Sequence, residues 1–298
     1  MAESIVATPH DIEVNGLQLR YVTWGERSSA RDSVILVHGL TSSLKAWVEI
    51  GPALAARGWH VIALDLRGRG LSDKPPHGYG IPYHANDLLS LADALGLERI
   101  HVVGHSLGAQ ITLFLAAQHP TRVGRIALID AGGRLPDDAL AAIAVSLKRL
   151  GTVYPSVDAL LDTQRLSPVY QWNAMWDEYY RYDAEEQPGG GVKSRVRREV
   201  VEEELSVNAM TRLEAAPEHI TAPTLILRAT LGTVAPDRGF ILAADEAERM
   251  HRVIAGSRYL EVPNTNHYTI LLSNLLLREI TAFLDGAVPE RVELIQEG

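Results

Sequence analysis

The sequence predicts an α/β fold: a mostly parallel, doubly wound sheet with a helical insertion after its sixth strand. Three observations predict it. Short apolar runs rich in β-branched residues recur without alternation, as strands buried on both faces require. Stretches with helical periodicity lie between them, and strand–helix alternation at this spacing gives right-handed βαβ units. After Asp130 that rhythm stops, and it resumes only near Thr224.

The elements follow in order. Residues 11–25 (DIEVNGLQLRYVTWG) alternate apolar and polar side chains about Asn15-Gly16, two residues that tolerate positive φ, so they predict an antiparallel hairpin with a tight primed turn. Ser33–Val37, Trp59–Leu64, Arg99–Gly104 and Arg125–Asp130 read as buried strands. Leu44–Arg57, Tyr83–Leu95 and Leu107–His119 read as the helices between them. From Leu135 to Ala216 no strand-like run is legible, only helical segments and loops such as Gln187–Gly191 (QPGGG). Thr224–Arg228 and Ser257–Val262 restore the strand pattern, with helices near Ala243–Ile254 and Thr269–Leu284. The predicted division is a core of 1–134 and 217–298 with a helical cap of 135–216. No role is assigned to the tail Ala287–Gly298.

Composition excludes several function classes. The chain has 298 residues, 46% hydrophobic and 22% charged, a balance suited to a sizeable core rather than a disordered chain. The absence of cysteine removes disulfides, thiolate nucleophiles and cysteine-held metal sites. A formal charge of −9 disfavours nucleic acid as a partner, because phosphates repel an acidic surface. No run approaches the roughly 20 apolar residues of a membrane span, and the first ten residues carry no secretory pattern. A cytoplasmic protein acting on a small molecule and water is expected; the oligomeric state is not legible.

The stretch Val102–Gln110 (VVGHSLGAQ) carries the chemistry. Gly104-His105-Ser106-Leu107-Gly108 is a G-x-S-x-G sequence set between a predicted strand and a predicted helix. An abrupt strand-to-helix turn lifts the serine hydroxyl above the sheet, at the positive end of the helix, and flanking glycines allow the close approach. A serine that merely caps a helix needs no such pair. At its ordinary pKa the hydroxyl is a poor nucleophile and requires a base. Of 11 histidines, His267 is the one that topology places on the same sheet rim, in the loop after the last strand.

With Ile35–Leu40 (ILVHGL), Asp65–Asp73 (DLRGRGLSD), GHSLG and Asn266-His267 in this order, the chain resembles the α/β-hydrolase fold superfamily over Asp11–Gly286, in a serine esterase or lactonase form with a helical cap. The resemblance implies a Ser106–His267 pair and an oxyanion hole from the backbone N–H groups of Leu40 and Leu107. For the triad acid it offers two places. Asp130, at the end of the sixth strand, is the assigned acid; Asp237, in the loop after Thr224–Arg228, is the alternative, displaced from where that loop ordinarily carries it.

A serine at the elbow argues against the relatives that open epoxides or halides through an aspartate. No metal-ligand spacing, phosphate loop or dinucleotide fingerprint is present, so no metal and no cofactor is expected. Ester or lactone hydrolysis through an acyl-enzyme is the expected reaction. The alternatives are C–C hydrolysis of a vinylogous diketone and a ligand-binding signalling protein of the same fold. Trp172, Met175, Trp176 and Tyr179, in the aromatic-rich stretch Tyr154–Tyr182, are the expected pocket-lining residues.

Overall fold

Asn15 (φ 52°) and Gly16 (φ 72°) turn the chain between β1 (Thr8–Val14) and β2 (Leu17–Trp24), the primed hairpin expected of that dipeptide. The computed structural model describes residues 5–136, 139, 143–144 and 147–286. Residues 137–138, 140–142 and 145–146 of the expected insertion, and the tail 287–298, lie outside the described residues.

Eight strands form one sheet. β3 (Ser33–Val37), β4 (Val61–Leu64), β5 (Ile100–His105), β6 (Val123–Ile129), β9 (Thr224–Ala229) and β10 (Arg258–Val262) join the hairpin in the order β1-β2-β4-β3-β5-β6-β9-β10. β2 pairs antiparallel with β4, and from β4 to β10 every pairing is parallel. Every residue of β3, β4, β5 and β9 is buried, which explains why their sequences do not alternate. Alternate β3 side chains serve two cores: Ile35 and Val37 join one apolar cluster, Val34 and Leu36 the other. α2 (Ile81–Ala94) and α3 (Leu107–Gln118) cover the first face; α1 (Ile50–Ala55) and α8 (Asn274–Leu284) cover the second. Each fully buried aliphatic side chain contributes roughly 1.5–3 kcal/mol, so two shared cores hold the rim of the sheet rigid.

The register sets the heights of the loops. Val37, Gly104, Leu128, Ile226 and Tyr259 form one row across five strands. Ser106 and Asp130 each lie two residues beyond this row on neighbouring strands, roughly 4.8 Å apart in the pairing direction. The chain order reverses between β3 and β5, the place in an open parallel sheet where the loops diverge and leave a crevice.

Between β6 and β9 the chain carries α4 (Val157–Arg165), α5 (Ala174–Asp183), a short hairpin of β7 (Ala184–Glu186) and β8 (Val192–Ser194), and α6 (Arg198–Met210). The hairpin is absent from the sequence reading. Gln187–Gly191 is its turn, with Gly190 and Gly191 at positive φ, and three-residue strands are too short to leave an alternation. The expected helix over 269–284 divides into a 3-10 turn (Thr269–Leu272) and α8, because Ser273 is extended and its hydroxyl caps the Leu276 N–H. α7 (Ala244–Val253) precedes β10. No helix among the described residues is long and apolar enough to cross a membrane.

Candidate active site

Ser106 occupies the turn from β5 into α3 with φ 56° and ψ −123°, backbone angles a non-glycine residue adopts only under constraint. The constraint is visible. A Cβ on Gly104 would lie 2.2 Å from the Gly108 carbonyl oxygen, and one on Gly108 would lie 2.0 Å from that of Val37. The two glycines let α3 start directly against β3 and β5, and the Ser106 N–H is held by the Ile129 carbonyl at 3.1 Å.

Asp130, just past β6, is also at positive φ (51°), a conformation Asp tolerates better than most residues. Its N–H donates to the Leu227 carbonyl at 2.7 Å, and its Oδ1 accepts the Ala229 N–H at 2.8 Å. Its Oδ2 lies 2.8 Å from His267 Nδ1. A carboxylate only accepts, so Nδ1 carries the proton and the Nε2 lone pair is left for another donor. Asp237, the alternative acid, lies exposed in the loop after β9. The carboxylate in contact with His267 is therefore that of Asp130, one strand from the elbow, while Asp237 lies exposed in the β9 loop.

Two neighbouring residues fix the His267 loop. Asn266 Oδ1 accepts the N–H groups of Tyr268 (2.9 Å) and Thr269 (3.0 Å), and its Nδ2 donates to the Val169 carbonyl in the insertion. His105, buried inside the elbow, donates from Nε2 to the His267 carbonyl at 2.8 Å, and its ring lies 4.5 Å from that of His267. Burial, reinforced by the His267 ring, holds its pKa well below the usual histidine range, so it stays neutral. His105 is not among the sequence-predicted site residues; its place between Gly104 and Ser106 is the signal that marks it.

Leu40 and Leu107 both border the cavity. Leu107 is the first residue of α3, where N–H groups have no intrahelical acceptor. The Gly39 carbonyl accepts from His38 Nδ1 (2.8 Å) and the Ser42 N–H (3.2 Å). A trans peptide is planar, so the Leu40 N–H points opposite that carbonyl. His38 Nε2 accepts the Leu66 N–H at 3.0 Å, and burial depresses its pKa to about 3. It is a neutral strut under the loop.

Ser106, His267, Leu40 and Leu107 line one cavity of about 370 Å³. Its walls include Trp176 and Tyr179 but not Trp172 or Met175. Trp176, Tyr179 and Tyr180 of α5 border the cavity, whereas Met175 lies one position round the helix from Trp176 and Trp172 precedes the helix. Met175 is buried in the apolar cluster of the second sheet face, and Trp172 stacks on Tyr180 (5.7 Å, 6°) at the outer side. Tyr170 and Tyr180, from the aromatic-rich stretch Tyr154–Tyr182, and Tyr268, which lies outside it, complete the aromatic wall. Among the described residues no three His, Asp or Glu side chains are grouped so as to hold a metal ion.

Comparison with known proteins agrees with this architecture. A putative carbamate hydrolase from Caulobacter segnis is 38% identical over 119 residues, 39% of this chain and 44% of that protein. The chain spans about two fifths of the length of the curated relatives it matches. The structure of E-2-(acetamidomethylene)succinate hydrolase superposes with a TM-score of 0.79 at 22% identity, covering 94% of this chain and 100% of that one. An enol-lactonase from Burkholderia xenovorans LB400 superposes with a TM-score of 0.70 at 23% identity, covering 93% and 100%. Residues 32–273 match the model of the alpha/beta hydrolase fold family, and the chain belongs to that family.

Proposed function

We propose that the protein is a serine hydrolase that cleaves a carboxylic ester or lactone of a small to medium apolar substrate. The observation that carries the reading is the 2.8 Å contact from His267 to Asp130, with Ser106 bordering the same cavity. Ser106 Oγ adds to the substrate carbonyl while His267 Nε2 takes its proton. The N–H groups of Leu40 and Leu107 receive the oxyanion. Collapse expels the alcohol, protonated by His267, and leaves an acyl-Ser106. Water, deprotonated by His267, adds to that acyl group, and a second collapse releases the acid and restores the serine.

Residues 135–216 act as the cap over this site in our reading. Tyr170, Trp176, Tyr179, Tyr180 and Leu205 come from it, and an apolar wall of this kind suits an apolar acyl group. That an enol-lactonase shares the fold supports including lactones beside open-chain esters.

The test is a fluorophosphonate label followed by turnover of p-nitrophenyl esters, lactones and vinylogous diketones. Label on Ser106, an ester burst and an inactive Ser106→Ala protein are expected. A Ser106→Ala protein with intact turnover would refute the reading, and turnover confined to diketones would move it to C–C hydrolysis. Cap movement on ligand binding with no product formed would favour the signalling alternative.

A further inference from the structure

Three successive carbonyls after β3 are each held by a buried side chain. His38 takes Gly39 O, as described. Arg69 Nε donates to Leu40 O at 3.0 Å. Arg149 donates to Thr41 O from Nη2 and to Thr41 Oγ1 from Nη1 at 3.3 Å, and the Tyr179 hydroxyl reaches Thr41 O at 3.3 Å. Leu40 is therefore clamped between two fixed peptide planes: His38 sets the plane that carries its N–H, and Arg69 sets the next one.

Arg69, in the core, takes its counter-ion from the insertion, and Arg149 and its counter-ion both belong to the insertion. Arg69 is completely buried, and its Nη2 lies 2.8 Å from Glu204 Oε2 on α6. The same oxygen takes His84 Nε2 at 2.8 Å, and burial of the carboxylate is offset by these two partners. Arg149 lies 3.2 Å from Asp183 Oδ2 on α5, and Asp183 Oδ1 accepts the Ser194 hydroxyl at 3.0 Å. A buried guanidinium without its carboxylate is strongly disfavoured, so each arginine sits where the insertion puts its counter-ion.

We propose that Arg69 and Arg149 are positioning residues of the oxyanion loop, and that the insertion, through Glu204 and Asp183, sets the geometry in which the Leu40 N–H receives the oxyanion. This rests on the serine-hydrolase reading above. It makes the segment over the site a part of the catalytic geometry as well as a wall. Arg69 is the cleaner probe, since it does not border the cavity whereas Arg149 does.

The experiment compares wild type with Arg69→Lys and Glu204→Gln in the full chain. Circular dichroism and thermal unfolding check the fold. Each variant is expected to lose roughly 10- to 100-fold in kcat, less than full removal of an oxyanion donor, with KM within about threefold. Inhibition by a trifluoromethyl ketone, which forms a tetrahedral adduct, should weaken by the same factor as kcat/KM, while inhibition by the product acid is unchanged. A folded Arg69→Lys protein with wild-type kcat overturns the proposal. So does a kcat loss without matching loss of ketone affinity, which is what a merely structural role would give. Should Arg69→Lys not fold, Glu204→Gln and Arg149→Lys read the same loop by the ketone correlation. Wild-type labelling and ester turnover, measured first, separate failure of this inference from failure of the serine reading.

Discussion

His267 Nδ1 lies 2.8 Å from Asp130 Oδ2, while the other oxygen of that carboxylate is taken by the Ala229 amide of the neighbouring strand. The Asp130 side chain is thus aimed from both sides: the sheet fixes the carboxylate, and the carboxylate fixes the imidazole tautomer. Asp130→Asn presents either an amide N–H or an oxygen to Nδ1, and the N–H selects the wrong tautomer. A fall in kcat on the order of 10³–10⁴ is expected in steady-state ester hydrolysis. Asp237→Asn, on an exposed loop, is expected to stay within twofold. The reverse ranking would reassign the acid.

His105 holds the His267 loop through a single buried bond to its carbonyl. His105→Phe keeps a ring against His267 but removes the donor, leaving that carbonyl unsatisfied. Chemical denaturation should show a loss of about 1–3 kcal/mol. Loosening the base should lower kcat by roughly tenfold with little change in KM, since small misplacements of a catalytic group are costly. Unaltered stability and kcat would remove His105 from the site's support.

The α5 face divides the aromatic cluster into lining and outer residues. Trp176→Ala enlarges the cavity and should shift preference toward longer acyl chains, read as a change in the ratio of kcat/KM between p-nitrophenyl octanoate and acetate of roughly tenfold. Trp172→Ala should leave that ratio unchanged, because its indole stacks on Tyr180 and donates to Asp177 outside the cavity. Equal shifts from both would mean that the lining is wrongly drawn.

The sequence carries local information well and distant pairings poorly. The Asn15-Gly16 hairpin, the unalternating strands and the glycine-flanked serine each leave a mark within ten residues, because backbone angles and burial act locally. The resemblance offers Asp130 at an intact strand end and Asp237 displaced along the later loop, and only the fold, which brings residue 130 to His267 across 137 positions, distinguishes them. Met175 is absent from the lining because the rotation of α5 about its axis is set by what packs on it, not by its composition, and Trp172, which precedes α5, is held by Tyr180 and Asp177 instead. Arg69 and Glu204 are 135 residues apart, and a charge pair buried across that distance leaves no pattern in the chain.

Acid should unfold this protein earlier than its carboxylates alone would. Burial holds His38 at about 3 and His101 at about 4, and keeps His105 well below the histidine range. In the unfolded chain all three take protons near 6.5. Between pH 6.5 and about 4 the unfolded state therefore binds more protons, and stability is lost as pH falls. His38 and His101 each contribute about 2–3 kcal/mol of that loss by pH 4.5, and His105 acts in the same direction. Asp65 opposes the trend, because burial raises its pKa and acidification through its window favours the fold. One carboxyl against three imidazoles leaves the sign unchanged, and Glu204, held to about 2, adds a further loss below 4.5. His101 is the best probe, since it sits in β5 on the side of the row away from the cavity and its Nδ1 accepts the Arg125 N–H at 2.7 Å. His101→Asn supplies an acceptor in place of Nδ1 but does not titrate. Thermal unfolding should show Tm falling between pH 7 and pH 5 in wild type and falling less in the variant. A wild-type Tm that is flat or rising over that interval would show that these imidazoles are not buried neutral.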